Sequence, residues 1–377
     1  MYGLSDFLEP VLLQDLLGDS SYNDGQLAKH IIINEGELPD ITDADIVLVG
    51  TNETRGCGLL QNTKAPSAAD AVRKQLYQLY YWHTGITIAD LGNIKTGASL
   101  TDSYAAIKTV VAELLRMQKT VVILGGSHDV TLAQYFSYKD LNKQVEATCI
   151  DASINLRGES PERSENFLME MLTGEPNHVK HYNHIGFQSY FVHPRMLETM
   201  DKLRFDCYRV GMVKDSMEEM EPVLRNSNLV SFDISAIKYS DAPANTQCPN
   251  GFTGEEACML ARYAGMSSSN SSFGIYGYLP QNDVNDLTAR QITQMLWYFI
   301  DGKSRSKQEA ALDDRHNFNE FHSTFTEVDT VFLQSKKTGR WWMQLPDKKF
   351  IACSYNDYVR ASHNEIPERW LRAQERG

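Results

Sequence analysis

The sequence predicts an α/β fold built on a mainly parallel sheet covered by helices on both faces. Two observations carry this. Short, continuously apolar runs such as "DIVLVG" (45–50), "TVVILGG" (120–126) and "NLVSFD" (228–233) recur along the chain, as strands buried on both faces do. Helical patterns lie between them, so the order is strand, helix, strand rather than a run of hairpins. In such sheets functional groups gather beyond the carboxyl ends of the strands.

The elements follow in order. After "DIVLVG", the stretch 65–82 places Val72, Leu76 and Tyr80 on one helical face, with Ser67 as N-cap after Pro66. A second helix is expected over 103–118. "VEATCID" (145–151), "HIGF" (184–187), "CYRVGM" (207–212) and "SSFGIYGY" (271–278) complete the strands. Composition shifts near residue 302, where "DGKSRSKQEAALDDRHNFNEF" reads as a charged linker or exposed helix. Beyond it, "DTVFLQSKKTGRWWMQL" alternates across a Lys-Thr-Gly turn as a β-hairpin. There Trp341 and Trp342 are expected to face opposite sides, one inward and one outward. A short final helix starts around Pro367. The expected division is 1–302 as the main domain and 303–377 as a C-terminal accessory extension.

Composition narrows the function. The chain has 377 residues, 42% hydrophobic and 23% charged, an ordinary globular balance. Its net charge of −13 leaves no cationic excess to neutralise phosphates, which argues against nucleic acid. No apolar run approaches the roughly 20 residues of a membrane span, and the opening residues do not read as a signal peptide. Six cysteines without metal-finger spacing suit a reducing compartment, so a cytoplasmic location is expected.

Three strands end in groups able to do chemistry: His128 in "GGSHD", Asp151 with Asn155 in "CIDASIN", and Asp233 in "VSFD". Strand-end carboxylates also cap neighbouring loop amides, and a buried histidine is more often hydrogen-bonded than catalytic. Ser127, His128 and Asp129 are consecutive, which rules out the mutual geometry of a nucleophile triad. His178, His181 and His184 in "HVKHYNHIGF" read as surface histidines in a loop leading into a strand.

Several segments together resemble the arginase and agmatinase (ureohydrolase) superfamily. "LGGSHDVTLA" is similar to its "GGDHS" segment, "CIDASIN" to "DAHxDxN", and "VSFDISAIKYSDAPA" to "SFDxDxxDPxxAPA". "PNGFTGEEACMLARYAG" resembles the "GGLTxxE" helix, and "IADLGNI" the "DxGD" turn. The agreement in order runs from about residue 40 to 300, and the general impression is nearest the formimidoylglutamase-like branch. The resemblance implies a three-layer α/β/α fold with an eight-stranded sheet. It also implies hydrolysis of a linear amidine by hydroxide on two Mn²⁺ ions, and a homo-oligomer.

Carried over residue by residue, the metal motif is half lost. His128, Asp151 and Asp233 match ligand positions, whereas Ser153, Asn155 and Ser235 stand where the family has His, Asp and Asp. Ser127 and Lys238 replace further aspartates, Gly277 stands at a frequent glutamate, and "SENFLMEML" lacks the arginase histidine. Even changes outside the ligand set cost roughly 10–100-fold in metal affinity, so a dinuclear site is not expected. One Mn²⁺ on His128, Asp151, Asp233 and Asn155 stays open, as does Lys238 entering the vacated pocket to pair with Asp151 or Asp233. Two functions remain: a non-catalytic binding or scaffolding protein with a possible protein partner, or a hydrolase of a small amidino or formimino compound at a rearranged site.

Overall fold

The computed structural model describes residues 3–17, 21–60, 66–245 and 247–376. Residues 1–2, 18–20, 61–65, 246 and 377 lie outside them, among them Ala65 at the start of the helical stretch 65–82. The first sheet contains β1 (Leu8–Glu9), β2 (Ile32–Ile33), β3 (Ile46–Thr51), β4 (Ile88–Ile94) and β5 (Thr120–Leu124). It continues with β6 (Val145–Ile150), β7 (Val179–Phe187), β8 (Asp206–Arg209), β9 (Leu229–Asp233) and β10 (Ser272–Tyr276). Its order is β1-β4-β3-β5-β10-β9-β6-β7-β8, with β2 also on β4. The stretch from β4 to β8 is the expected eight-stranded parallel sheet. Only the two-residue β1 is antiparallel to it.

Two hydrophobic clusters cover the two faces, one including Leu48, Val122, Phe232 and Phe273, the other Val47, Ile123, Ala147 and Tyr182. Neighbouring residues of one strand enter opposite clusters, so the continuous apolar runs are buried on both sides. The helix Ala68–Leu76 begins with Ser67 accepting from the Asp70 amide. It ends before Tyr80, which is 61% exposed rather than part of the buried face. "IADLGNI" is a complete strand, not a turn. Its Asp90 receives Arg73 at 2.8 Å through two guanidinium nitrogens, fixing the helix to the sheet. "CYRVGM" divides, and the helix Val210–Asp215 starts directly after β8.

His178, His181 and His184 are buried, contrary to the surface reading. The strand containing His181 and His184 is longer than expected and lies inside the sheet between β6 and β8. Each ring there has partners: His181 Nε2 meets Asp206 Oδ2 at 3.1 Å, and His184 Nε2 meets the Asp151 carbonyl at 3.1 Å. Burial lowers the His184 pKa to about 4, so the ring is neutral and accepts from the Tyr182 hydroxyl through Nδ1.

The helix Leu287–Ser306 runs past residue 302. The extension then forms an antiparallel sheet of β11 (Phe318–Phe325), β12 (Val328–Ser335), β13 (Trp341–Gln344) and β14 (Phe350–Cys353). The hairpin is where the alternation places it, with Phe332 opposite Met343. The tryptophans do face opposite sides, but neither is exposed. Trp341 packs with Phe325, Met343 and Trp370. Trp342 packs with Phe318 and Leu333, and the Arg225 guanidinium covers its ring at 4.5 Å.

Candidate functional site

The strand order reverses around β9 and β10, and a cavity of about 480 Å³ opens beyond the carboxyl ends of β5, β6, β9 and β10. His128, Asp151, Asn155 and Asp233 all line it, together with Ser127, Ser153, Ser235 and Gly277. The local chain explains the delivery. Gly125 and Gly126 have φ of +87° and +85°, which turns the chain sharply after β5 and sets His128 just before the helix Val130–Asp140. Asp151 and Asp233 are the first residue after β6 and the last of β9. Both carboxylates also cap loops as expected: Asp151 Oδ1 accepts from the Ser153 amide at 3.1 Å, and Asp233 Oδ1 from the Ser235 amide at 2.8 Å.

The side chains form a connected network. His128 Nδ1 meets Asp151 Oδ2 at 2.9 Å, and its Nε2 meets the Ser231 hydroxyl at 2.9 Å. Ser231 continues to Thr131 at 2.6 Å. The Ser235 hydroxyl donates to Asp151 Oδ1 at 2.5 Å. Phe167, on the helix Arg163–Thr173, packs its ring 5.0 Å from that of His128. Lys238 does not enter; it pairs with Asp241 at 3.4 Å, so the counter-charge for the buried carboxylates comes from His128. Burial opposes a charged His128, but the Asp151 carboxylate outweighs it and holds the imidazole pKa well above its ordinary value. Against its own burial, the same contact holds Asp151 down to about 2. Asp233, buried and facing the Asp151 charge, is pushed up to about 6.

Asp151, His128 and Ser231 follow the acid, base and hydroxyl order of a nucleophile triad, a relation that adjacency in sequence hides. Ser231 is completely buried within β9, however, and does not reach the cavity. Its partner Thr131 is equally sealed. Both were missed in the sequence; the signal for Ser231 is a lone polar residue inside an apolar strand, two positions before Asp233, which must find a hydrogen bond. Asp129 turns away from the cavity and accepts from Tyr104, leaving Ser127 at the pocket wall.

The donor set does not fit two divalent cations. Hard ions such as Mn²⁺ need oxygen acceptors, yet at Ser235 a hydroxyl donor points at Asp151, and the Asn155 amide nitrogen donates to the Ser164 carbonyl at 2.7 Å. Both Asp151 oxygens are already taken by hydrogen-bond donors. Among the described residues, no group of three or more His, Cys, Asp or Glu side chains is arranged to hold a metal ion.

Comparison with known proteins agrees with the fold and the motif order. The sequence model of the arginase family matches residues 44–301, and the chain belongs to that family. Its fold is similar to that of the Trypanosoma cruzi formiminoglutamase solved with Mn²⁺, at 18% identity and a TM-score of 0.64, covering 70% of this chain and 95% of that one. The formimidoylglutamase of Bacillus subtilis gives 17% identity and a TM-score of 0.66, covering 76% and 95%. The proclavaminate amidino hydrolase of Streptomyces clavuligerus gives 16% and 0.58, covering 70% and 92%. No curated protein sequence matches the chain. No helix among the described residues is long and apolar enough to cross a membrane.

Proposed function

We propose that this chain is a non-catalytic member of the arginase family, a binding or scaffolding protein that keeps the family's pocket without its hydrolytic chemistry. The observation that carries the reading is the Ser235 hydroxyl donating to Asp151, a donor where a metal pair needs an acceptor. Attack on an amidine carbon needs a strong nucleophile, supplied in metal hydrolases by bound hydroxide. Among the described residues, neither Ser231 nor Cys57 stands ready as a substitute. Ser231 is sealed below the cavity, and the Cys57 thiol bonds to the Thr54 carbonyl at 3.1 Å with its pKa raised by burial. The reading extends to a cytoplasmic homo-oligomer that binds a small amidino or formimino compound or a protein partner.

The second reading is metal-dependent hydrolysis of a linear amidine with one Mn²⁺ on His128, Asp151, Asp233 and Asn155. One observation favours it: His128 Nδ1 lies 2.9 Å from Asp151 Oδ2 and 3.8 Å from Asp233 Oδ2, so these donors converge. The test between them is incubation of the full chain with Mn²⁺ and formimidoyl-glutamate, arginine, agmatine or guanidinobutyrate, with release of formamide or urea as the readout. The first reading expects no release above the protein-free control. Turnover that disappears in His128→Ala establishes the second.

A further inference from the structure

We infer that a hydrogen-bond chain does at this pocket what bridging metal ions would otherwise do, so that the protein folds and holds its pocket open without any metal. The inference rests on the non-catalytic reading of the same site and goes beyond it, since an inactive protein could still depend on a structural ion.

The chain is continuous across separate elements. It runs from Thr131 in the first turn of the helix Val130–Asp140 to Ser231 in β9, at 2.6 Å. From Ser231 it passes to His128 at 2.9 Å, and from His128 to Asp151 after β6 at 2.9 Å. It closes on Ser235, the residue two beyond β9, at 2.5 Å. His128 therefore ties together β5, β6 and β9, the strands that deliver His128, Asp151 and Asp233 to the pocket.

Two of the exchanged ligand positions have new duties. Ser235 gives its hydroxyl to Asp151, and Asn155 ties the loop after β6 to the Ser164 carbonyl. A third contact, from His184 to the Asp151 carbonyl at 3.1 Å, fixes the same loop from β7. None of these side chains is among the buried polar groups left without a partner in the described residues. A buried carboxylate deprived of its cation is costly unless paired and hydrogen-bonded, and here Asp151 is both.

The test is the melting temperature of the full chain by calorimetry, in EDTA and with Mn²⁺ in excess. A ligand that binds only the folded state raises that temperature, so equal values in the two buffers are expected. Ser231→Ala, which removes one hydroxyl from the chain, should lower it by about 1–4 °C in both buffers alike. In the reverse variant Ser153→His/Asn155→Asp/Ser235→Asp, the acceptors return and the hydroxyl latch is lost, so Mn²⁺ should now raise the melting temperature above that in EDTA. A wild-type protein destabilised by EDTA or stabilised by Mn²⁺ overturns the inference, as does a Ser231→Ala protein as stable as wild type. Those comparisons decide even if the triple variant does not fold. An inactive protein stabilised by Mn²⁺ would sink this inference and spare the functional reading; a metal-indifferent protein that hydrolyses an amidine would do the opposite.

Discussion

At Asp151 the Ser235 hydroxyl and the Ser153 amide share one carboxylate oxygen while His128 takes the other, so both oxygens are engaged by donors of this chain. Removing a single donor from such a buried group leaves it under-satisfied, so Ser235→Ala should cost about 1–3 kcal/mol in urea unfolding. Gly277 makes the complementary point. It has φ of +77°, and a Cβ there would come 2.5 Å from Asp233 Oδ2. Gly277→Ala should therefore lose about 1–2 kcal/mol from backbone strain alone, and more from displacing Asp233; a loss confined to about 1–2 kcal/mol by calorimetry would show that the carboxylate moves freely, and equal stability would contradict the strain as well. The glutamate frequent at this position in the family has no room beside Asp233 as it stands. His128, Asp151 and Asp233 are legible in the sequence because strand ends in a parallel sheet are where polar side chains converge. Ser231 and Thr131 are not, because their roles depend on which helix packs over which strand. Lys238 misleads for a related reason: its position in the motif is right, but Asp241, three residues on, offers a nearer partner at the surface.

At the level of elements, apolar runs locate the strands well and their surroundings less well. The run "HIGF" gives the end of β7 but not its start, since His181 and Asn183 look polar until Asp206 of β8 is beside them. Asp206 also receives Arg372 at 2.6 Å and Arg376 from the C-terminal helix Glu368–Arg376. Burial raises its pKa, but the hydrogen bond from His181 and the nearby arginine outweigh it and hold Asp206 at about 2. A depressed carboxylate stabilises the fold fully above its unfolded value near 3.8, and that contribution is lost as pH falls toward 2. It amounts to about 2–3 kcal/mol. Asp206→Asn should be less stable at pH 6 and should flatten the loss of stability between pH 4 and 2, read from urea midpoints across pH. An unchanged slope would mean that the arginines hold the helix without Asp206.

Across the whole molecule, the C-terminal antiparallel sheet is keyed to the elements around the parallel sheet rather than tethered to them. Arg225 donates to the Trp341 carbonyl at 2.6 Å, and Arg340 to the Met266 carbonyl at 2.8 Å while pairing with Glu309 at 2.8 Å. The change in composition near residue 302 falls inside the helix Leu287–Ser306, which continues across it. Deleting 307–377 would uncover Arg225 and the Met266 end of its helix, and should give insoluble protein or a lowered melting temperature; a soluble fragment with the wild-type melting temperature would make the extension independent. The central claim concerns the pocket, and metal content tests it most directly. The full chain, dialysed against Mn²⁺ and then against buffer, is measured by plasma mass spectrometry. The account predicts manganese far below one ion per chain, with His128 held by Asp151 and Ser231. One or two retained ions per chain would contradict it.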